Sequence, residues 1–585
     1  MLRGFRWQFV VLLMAAILFG ASLVARPGQP PADETTVTPA PTSTPLPTPS
    51  QAIAITQSVG DSTGPAALPE VSTYREAVVG QVQRLNPLFA TLNPVDADIT
   101  SLIFEGLTRT NEYGEIVPSL AKSWVISSDG LEYVLQLRDD VLWQDGVPFS
   151  AADVIYTISL LRSPDFPGDN ELTVFWRTVE TQQLSDTLIR FRLTQPLGSF
   201  LDALRIGILP EHALRGTTAG QIADHPFNLA PIGTGPYQLE ALRSVDGQRI
   251  SIVDLRVAPV FRQRPEGQEG YAIDRVRFQF YDTFDAALNA FSAGEADGLA
   301  APSRRERLPL LATPNASVET ALAPTLGVVI FNWAKHGYFR EQRVRQALMT
   351  GLERSPILER ALPNLVVKAD SPLLPGSWAY APDLPWPQPS SEAARELLTT
   401  ANTQRGSDEA EATEEPNGAL LSFAILTPDD AALISVAREI AAQWSQLNMN
   451  VSVESASKDE YQQRLDDGEF DAALVELALG DSADPDIYTF WDEGQYPDGK
   501  NYGGVNDRRI SEALERARRD PDGTNRIIHY HSFQRNFIER AIAIPLYYPL
   551  FTYATSSRVS GVQLGFIGTP ADRFYTLKDW TIQAN

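Results

Sequence analysis

The chain has 585 residues, 43% of them hydrophobic and 21% charged, which is too long for one core and predicts two or three packed domains. Its 73 acidic residues outnumber 48 basic ones, for a net charge of −25; this excludes the basic footprint that a nucleic-acid partner needs and is compatible with a cationic ligand. There is no cysteine, so disulfides, thiolate metal sites and cysteine nucleophiles are excluded.

At the start, Arg3 and Arg6 precede an apolar run from Phe9 to Ala25. Residues 1–25 therefore read as a signal peptide or, if uncleaved, as a signal anchor with its amino end inside. Cleavage after Ser22, with Gly20, uses the better pair of small residues; either outcome exports the body. Residues 26–70 form a Pro/Thr-rich linker, with eight prolines between Pro27 and Pro49. Such a segment is extended, builds no core and serves as a spacer. The globular body starts near Val71.

Between Pro118 and Val154 the local physics is readable. Asp129-Gly130 supplies a tight hairpin turn, and Leu131, Tyr133, Leu135 and Leu137 then alternate as one face of a strand. Asp145-Gly146 makes a second turn. Ser150 stands where a helix N-cap belongs, three residues before Asp153, and Val154, Ile155, Ile158 and Leu161 follow at helical spacing.

Two distant segments share one construction. In the first, Val276, Phe278 and Phe280 alternate as a strand, Phe284, Ala287, Leu288 and Phe291 line a helix, and Gly294-Glu-Ala-Asp297 closes it. In the second, Met449, Val451 and Val453 alternate, Tyr461 and Leu465 lie on a helix, and Gly468-Glu-Phe-Asp471 leads into Ala472–Val475. Each is a βαβ unit, expected in a parallel or mixed sheet, and together they predict two α/β lobes of related design. The shared Gly-Glu-x-Asp reads as a helix stop and turn. The stretch Ser407 to Gly418, with five acids and Pro416, reads as a solvated loop inserted in the second lobe. From Asp429 to Leu447 an amphipathic helix places Leu433, Val436, Ile440, Trp444 and Leu447 on one core face, with Asp429 and Asp430 suited to the positive end of its dipole.

The order and spacing of the 118–154 stretch resemble the signature of the bacterial extracellular solute-binding proteins of family 5, the dipeptide-, oligopeptide- and nickel-binding partners of ABC importers. The likeness runs from about Tyr74 to Trp580. It includes Leu85-Asn-Pro-Leu88, Leu102-Ile-Phe-Glu-Gly-Leu107, Ile232-Gly-Thr-Gly-Pro-Tyr237, Phe331-Asn332, Arg343-Val-Arg-Gln-Ala-Leu348, Asn501-Tyr502 and Ile544-Pro-Leu-Tyr547. Gly233-Thr-Gly235 lacks the third glycine and the lysine of a phosphate loop.

The resemblance implies an α/β, two-lobed periplasmic-binding-protein-like fold, with mixed sheets flanked by helices and an extra subdomain in the first lobe. Residues 71–110, 226–320 and 546–585 would form lobe I, 111–225 its inserted subdomain, and 321–545 lobe II. It further implies capture of a peptide or peptide-like solute between the lobes, and delivery to permease and ATPase subunits. The protein would be a monomer with no cofactor, no metal and no catalytic residue. It would be extracytoplasmic, held at the membrane through residues 9–25 if these are uncleaved. The lipid-bearing cysteine of many exported members is missing from this chain.

In peptide-binding members an aspartate four residues before a proline pairs with the ligand ammonium; in Gly480-Asp481-Ser-Ala-Asp484-Pro485-Asp486 that position is Asp481. A buried carboxylate needs such a partner, and an ammonium supplies both charge and donors. Read without the family, Asp481, Asp484 and Asp486 are acceptors in an Asp-Pro turn. Where relatives often carry tryptophan three residues earlier, this chain has Ala478, which widens the pocket. Other readings stay open: a binder of an oligosaccharide or metal chelate, a sensing ectodomain, and an extracytoplasmic hydrolase. Of the five histidines, His212, His225, His336, His529 and His531, only the last two are close, and a spacing of two on a helix separates them. No Gly-x-Ser-x-Gly or His-Glu-x-x-His is present.

Overall fold

The computed structural model describes residues 72–244, 247, 249–408, 420–480 and 484–583. The signal segment and linker lie outside the described residues, as does Asp481. Of the acidic stretch, Ser407 and Asp408 end a helix, Ser391–Asp408, and the rest lies outside the described residues. No helix among the described residues is long and apolar enough to cross a membrane.

β1 (Thr73–Val79) opens the body, followed by α1 (Pro94–Ile103), whose N-cap Asn93 accepts from the Val95 N–H. A separate antiparallel sheet comes next, built from β2 (Ala121–Ile126), β3 (Glu132–Leu137), β4 (Val179–Ser185) and β5 (Leu188–Leu193) in the order β2-β3-β5-β4. The expected hairpin is present. Gly130 takes φ 69°, a left-handed value open to glycine at little cost, and Asp129 accepts from the Leu131 N–H at 3.1 Å. Tyr133, Leu135 and Leu137 are all buried. α2 (Ala151–Arg162) starts at the expected capping box: the Ser150 N–H donates to Asp153 at 2.9 Å and the Ala152 N–H to the Ser150 hydroxyl at 3.3 Å.

Ten further strands enter the main sheet alongside β1 and the short strand Val366–Lys368. They are β6 (Tyr237–Ser244), β7 (Ile250–Val257), β8 (Arg275–Tyr281), β9 (Gly298–Ala301), β10 (Ala316–Leu322), β11 (Thr325–Phe331), β12 (Ser422–Pro428), β13 (Asn450–Ala456), β14 (Ala472–Ala478) and β15 (Ile544–Ser556). Their order is β13-β12-β14-β11-β15-β9-β1-β8-β7-β6, with β10 also paired to β15. The helices used below are α3 (Phe284–Ser292), α4 (Arg304–Leu311), α5 (Gln342–Thr350), α6 (Ala431–Ser445), α7 (Lys458–Asp466), α8 (Arg508–Arg519) and α9 (Gly523–Glu539).

Both expected βαβ units form, and by the same device. β8 and β9, joined by α3, run parallel to β1 between them; β13 and β14, joined by α7, run parallel to β12 between them. The Gly-Glu-x-Asp segments stop their helices at Gly294 (φ 75°) and Gly468 (φ 67°). They also do more than stop a helix. Asp297 accepts from the Arg75 N–H of β1 at 3.1 Å, and Asp471 from the Ala424 N–H of β12 at 2.9 Å. In each lobe the aspartate thus tethers the returning chain to the middle strand. Burial opposes ionisation of Asp471, but Lys335, His336 and that N–H hold its pKa below the usual carboxylate range.

Two large hydrophobic cores lie along the sheet. One runs from Leu326 to Tyr548; the other joins Tyr74 through Phe278 to Phe551 through Trp580. The chain passes between them at Ala323–Pro324 and again inside the long strand β15. The Gly-Thr-Gly turn before β6 is a packing device: a Cβ on Gly233 would stand 1.8 Å from the Ile103 carbonyl oxygen, so only glycine lets it seat on the end of α1.

Candidate functional site

Register fixes where the strand ends of the two lobes meet. β9 ends at Ala301 opposite Thr552 of β15. β14 ends at Ala478 opposite Thr325, the first residue of β11, which follows directly on the crossing at Pro324. The carboxyl ends of the parallel strands in both lobes therefore converge on the crossing segments. Such ends are where open α/β sheets bind their ligands.

The loop leaving β14 carries the acidic cluster. Leu479 N–H donates to Pro324 O at 2.8 Å, and Gly480 turns the chain at φ 102°. Asp484 has a partner that the Asp-Pro turn reading did not include. It forms a bidentate pair with Arg526 of α9, at 2.6 and 2.7 Å, with side chains 8% and 6% exposed. Arg526 also donates to Ala517 O at 2.8 Å and to the Tyr530 hydroxyl at 3.3 Å, and its guanidinium stands 5.0 Å from the Trp378 ring centre. Asp486 fits the turn reading, accepting from Tyr488 N–H at 3.3 Å; burial pushes its pKa up, with Arg518 at 3.4 Å opposing the shift. Gly480 and Asp484 bracket Asp481, the position that the resemblance implies for a ligand ammonium, which lies outside the described residues.

Sequence reasoning missed Arg526, although a signal existed. It sits on the stripe Arg526, Tyr530, Phe533, Phe537, a charge at helical spacing among buried aromatics. Such a residue needs a buried counter-charge. Asp484→Asn is therefore expected to lower the unfolding free energy by about 2–3 kcal/mol, since Arg526 keeps one acceptor but loses its counter-charge. Urea titration measures this, and a change under about 0.5 kcal/mol, the range of neutral surface substitutions, would refute it.

At the hinge side, Arg304 at the start of α4 pairs with Glu476 on β14, which also accepts from the Tyr547 hydroxyl of β15 at 3.0 Å. Arg305 reaches Asp430, the N-cap of α6, at 3.4 Å. The Tyr547 ring lies over Gly327, where a Cβ would stand 2.4 Å from it.

His212 pairs with Asp145 at 2.8 Å, His336 with Asp471 at 2.6 Å and His529 with Asp520 at 3.8 Å. Among the described residues no group of three or more histidine or carboxylate side chains is placed to hold a metal ion.

Two α/β lobes on a mixed sheet, crossed twice by the chain and carrying an extra antiparallel sheet in the first, define a periplasmic-binding-protein-like solute binder. The profile described as bacterial extracellular solute-binding proteins, family 5 Middle, matches residues 115–498, and the chain belongs to that family. It is 24% identical over 513 residues to the oligopeptide-binding protein AppA of Bacillus subtilis, covering 86% of this chain and 90% of that one. Among solved structures, it is similar to HbpA2 from Haemophilus parasuis, with a TM-score of 0.74 at 18% identity over 88% of this chain and all of that one. NikZ from Campylobacter jejuni, solved in complex with Ni(L-His), gives a TM-score of 0.63 at 25% identity, covering 87% and 99% of the two chains.

Proposed function

We propose that this protein captures peptides, or a related small solute, between its lobes and delivers them to the permease and ATPase subunits of an ABC importer. In this reading no bond is made or broken. The observation that carries it is the convergence of strand ends from both lobes on the crossing segments. Family membership supports delivery to a transporter, and the similarity to an oligopeptide-binding protein supports a peptide ligand.

The reading includes Asp481 as partner of the ligand ammonium, a monomeric extracytoplasmic body, and attachment to the membrane through residues 9–25 where these are retained. Lobe I would comprise 71–110, 226–320 and 546–585, its subdomain 111–225, and lobe II 321–545; the last boundary lies just before core membership changes, between Tyr548 and Phe551.

A ligand touching both lobes favours the closed form. Small-angle scattering is expected to show a smaller radius of gyration when a saturating mixture of tripeptides is added, with calorimetry reporting their binding. An unchanged radius and no heat with tripeptides or a nonapeptide would rule out the peptide reading. Mass spectrometry of material that co-purifies with the closed protein identifies the natural ligand.

A further inference from the structure

Tyr74, Val276 and Phe278 are buried in the large core that holds β1 and β8, so the residues alternating with them stand on the other face of the sheet. On that face two buried carboxylates each hold two arginines. Asp254 of β7, fully buried, accepts from Arg243 Nε of β6 at 2.8 Å and from Arg277 Nε and Nη2 of β8 at 2.7 and 3.3 Å. Asp297, just before β9 and 1% exposed, accepts from Arg75 Nε and Nη2 of β1 at 2.8 and 3.0 Å and from Arg558 Nη1 at 3.5 Å. The acids lie beneath and the cations above: Arg243 is 40% exposed, and Arg75, Arg277 and Arg558 are 23%, 24% and 28% exposed.

The strand register sets like charges side by side. Arg75 is the partner of Arg277 across β1 and β8, and Arg275 that of Arg256 across β8 and β7. Like charges directly opposite destabilise a sheet, and such a local conflict is expected where function needs it. Glu240 neutralises Arg275, at 2.5 and 2.9 Å. Arg256 is exposed and has no ion-pair partner among the described residues. Glu295, in the turn after α3, lies near Arg75. Five guanidiniums, Arg75, Arg243, Arg256, Arg277 and Arg558, thus face three acids, Asp254, Asp297 and Glu295, a surplus of two positive charges on a chain whose net charge is −25. Nη1 of Arg75, Nη1 of Arg277 and both terminal nitrogens of Arg243 have no acceptor among the described residues.

We propose that Arg75, Arg243 and Arg277 form an oxyanion site that takes a phosphate group. The buried aspartates hold the guanidinium forks in place before any ligand arrives, and the nitrogens left over are the donors. A phosphate group carries nearly two negative charges and three strong acceptor oxygens, which matches both the surplus charge and the free donors; a single carboxylate offsets only half of that surplus. Planar guanidinium forks suit its geometry. The site lies toward the amino ends of β1 and β8, away from the carboxyl ends where the solute-capture reading puts its cleft, and does not depend on that reading. The phosphate belongs either to a free ligand or to the headgroup of an anionic lipid, and the test separates the two.

Calorimetry of the full chain in nonionic detergent, with inorganic phosphate against chloride at equal ionic strength, reads the free ligand. Arg277→Gln is expected to weaken phosphate binding roughly tenfold or more, the loss of one charge-assisted contact. Arg277→Lys weakens it less, since the charge stays and only the fork is lost. Arg190→Gln, on the separate antiparallel sheet, leaves it unchanged. Flotation with phosphatidylcholine vesicles, with and without phosphatidylglycerol, reads the lipid source: a gain from phosphatidylglycerol that Arg277→Gln abolishes supports the site with the headgroup as ligand, even where inorganic phosphate gives no heat. Comparing the two vesicle types removes any binding through residues 9–25, which is common to both. Arg243 still covers Asp254 in Arg277→Gln; should that variant misfold, Arg243→Gln decides in the same way. Equal binding by parent and Arg277→Gln, the mark of adventitious ion binding only, overturns the site. So does a parent that binds neither inorganic phosphate nor the phosphatidylglycerol vesicles in excess of the phosphatidylcholine ones.

Discussion

Arg573→Met is expected to lower the unfolding free energy of the body by about 3–5 kcal/mol, the range for removing one partner of a buried ion pair. Arg573 is fully buried between two acids far away in sequence. Its Nε donates to Glu76 on β1 at 2.9 Å, and its two terminal nitrogens donate to Asp98 on α1 at 2.8 and 2.6 Å. The other Glu76 oxygen accepts from the hydroxyls of Tyr74 and Tyr553, each at 2.7 Å. Gly298 makes room for this cluster, since a Cβ there would lie 1.6 Å from the Tyr74 hydroxyl. Without the guanidinium, two carboxylates remain in the core with no counter-charge. Burial already pushes the Glu76 pKa up, with Arg573 opposing the shift. In the variant Glu76 titrates further above its unfolded value, so its penalty is present at neutral pH and shrinks as pH falls through the raised folded pKa. Arg573→Lys is expected to restore little, because an ammonium cannot span both acids in a planar fork. Denaturant unfolding measures the effect; a loss under about 1 kcal/mol would mean the core accommodates the unpaired acids.

Asp481→Asn is expected to weaken binding of a free tripeptide roughly thirtyfold or more. The exchange preserves shape but leaves the ligand ammonium without its counter-charge in a closed cleft, a loss of about 2–5 kcal/mol. N-acetylated versions of the same tripeptides never offer the ammonium, so their affinity changes much less. Calorimetry of parent and variant against both ligand sets makes the comparison. Equal affinity of the two proteins for free tripeptides would end the ammonium assignment. Asp484→Asn is the contrast: its partner is Arg526 within the lobe, so its main effect is on stability and is the same for free and acetylated ligands.

Local features were legible because they are written in consecutive residues. The Asp129-Gly130 hairpin, the Ser150/Asp153 capping box and both βαβ units each show a turn residue or an apolar period within a short window. The long-range electrostatics was not legible. Asp484 and Arg526 are 42 residues apart, Arg304 and Glu476 172, and Glu76 and Arg573 497. Pairing over such separations leaves no period in the sequence. The candidate loop at 480–486 came from the family motif, and what holds it came only from coordinates. The Gly-Glu-x-Asp repeat sits between these cases: its glycine announced a helix stop, while the aspartate's hold on the middle strand depends on a neighbour more than forty residues away in lobe II, Ala424, and over two hundred away in lobe I, Arg75.

The long strand β15 serves both cores, and this sets an order of events during synthesis. The core from Leu326 to Tyr548 is contiguous, so the ribosome delivers all of it in one run. The other core needs Phe551, Tyr553, Phe574 and Trp580 to pack against Tyr74 and Phe278, partners made hundreds of residues earlier. That core therefore stays incomplete until the last strand has emerged. Chains with such non-local closure fold slowly and expose sticky surface meanwhile. In the reading of residues 1–25 as an export signal, the delay is an asset: the core begun first cannot be completed before the last strand has arrived.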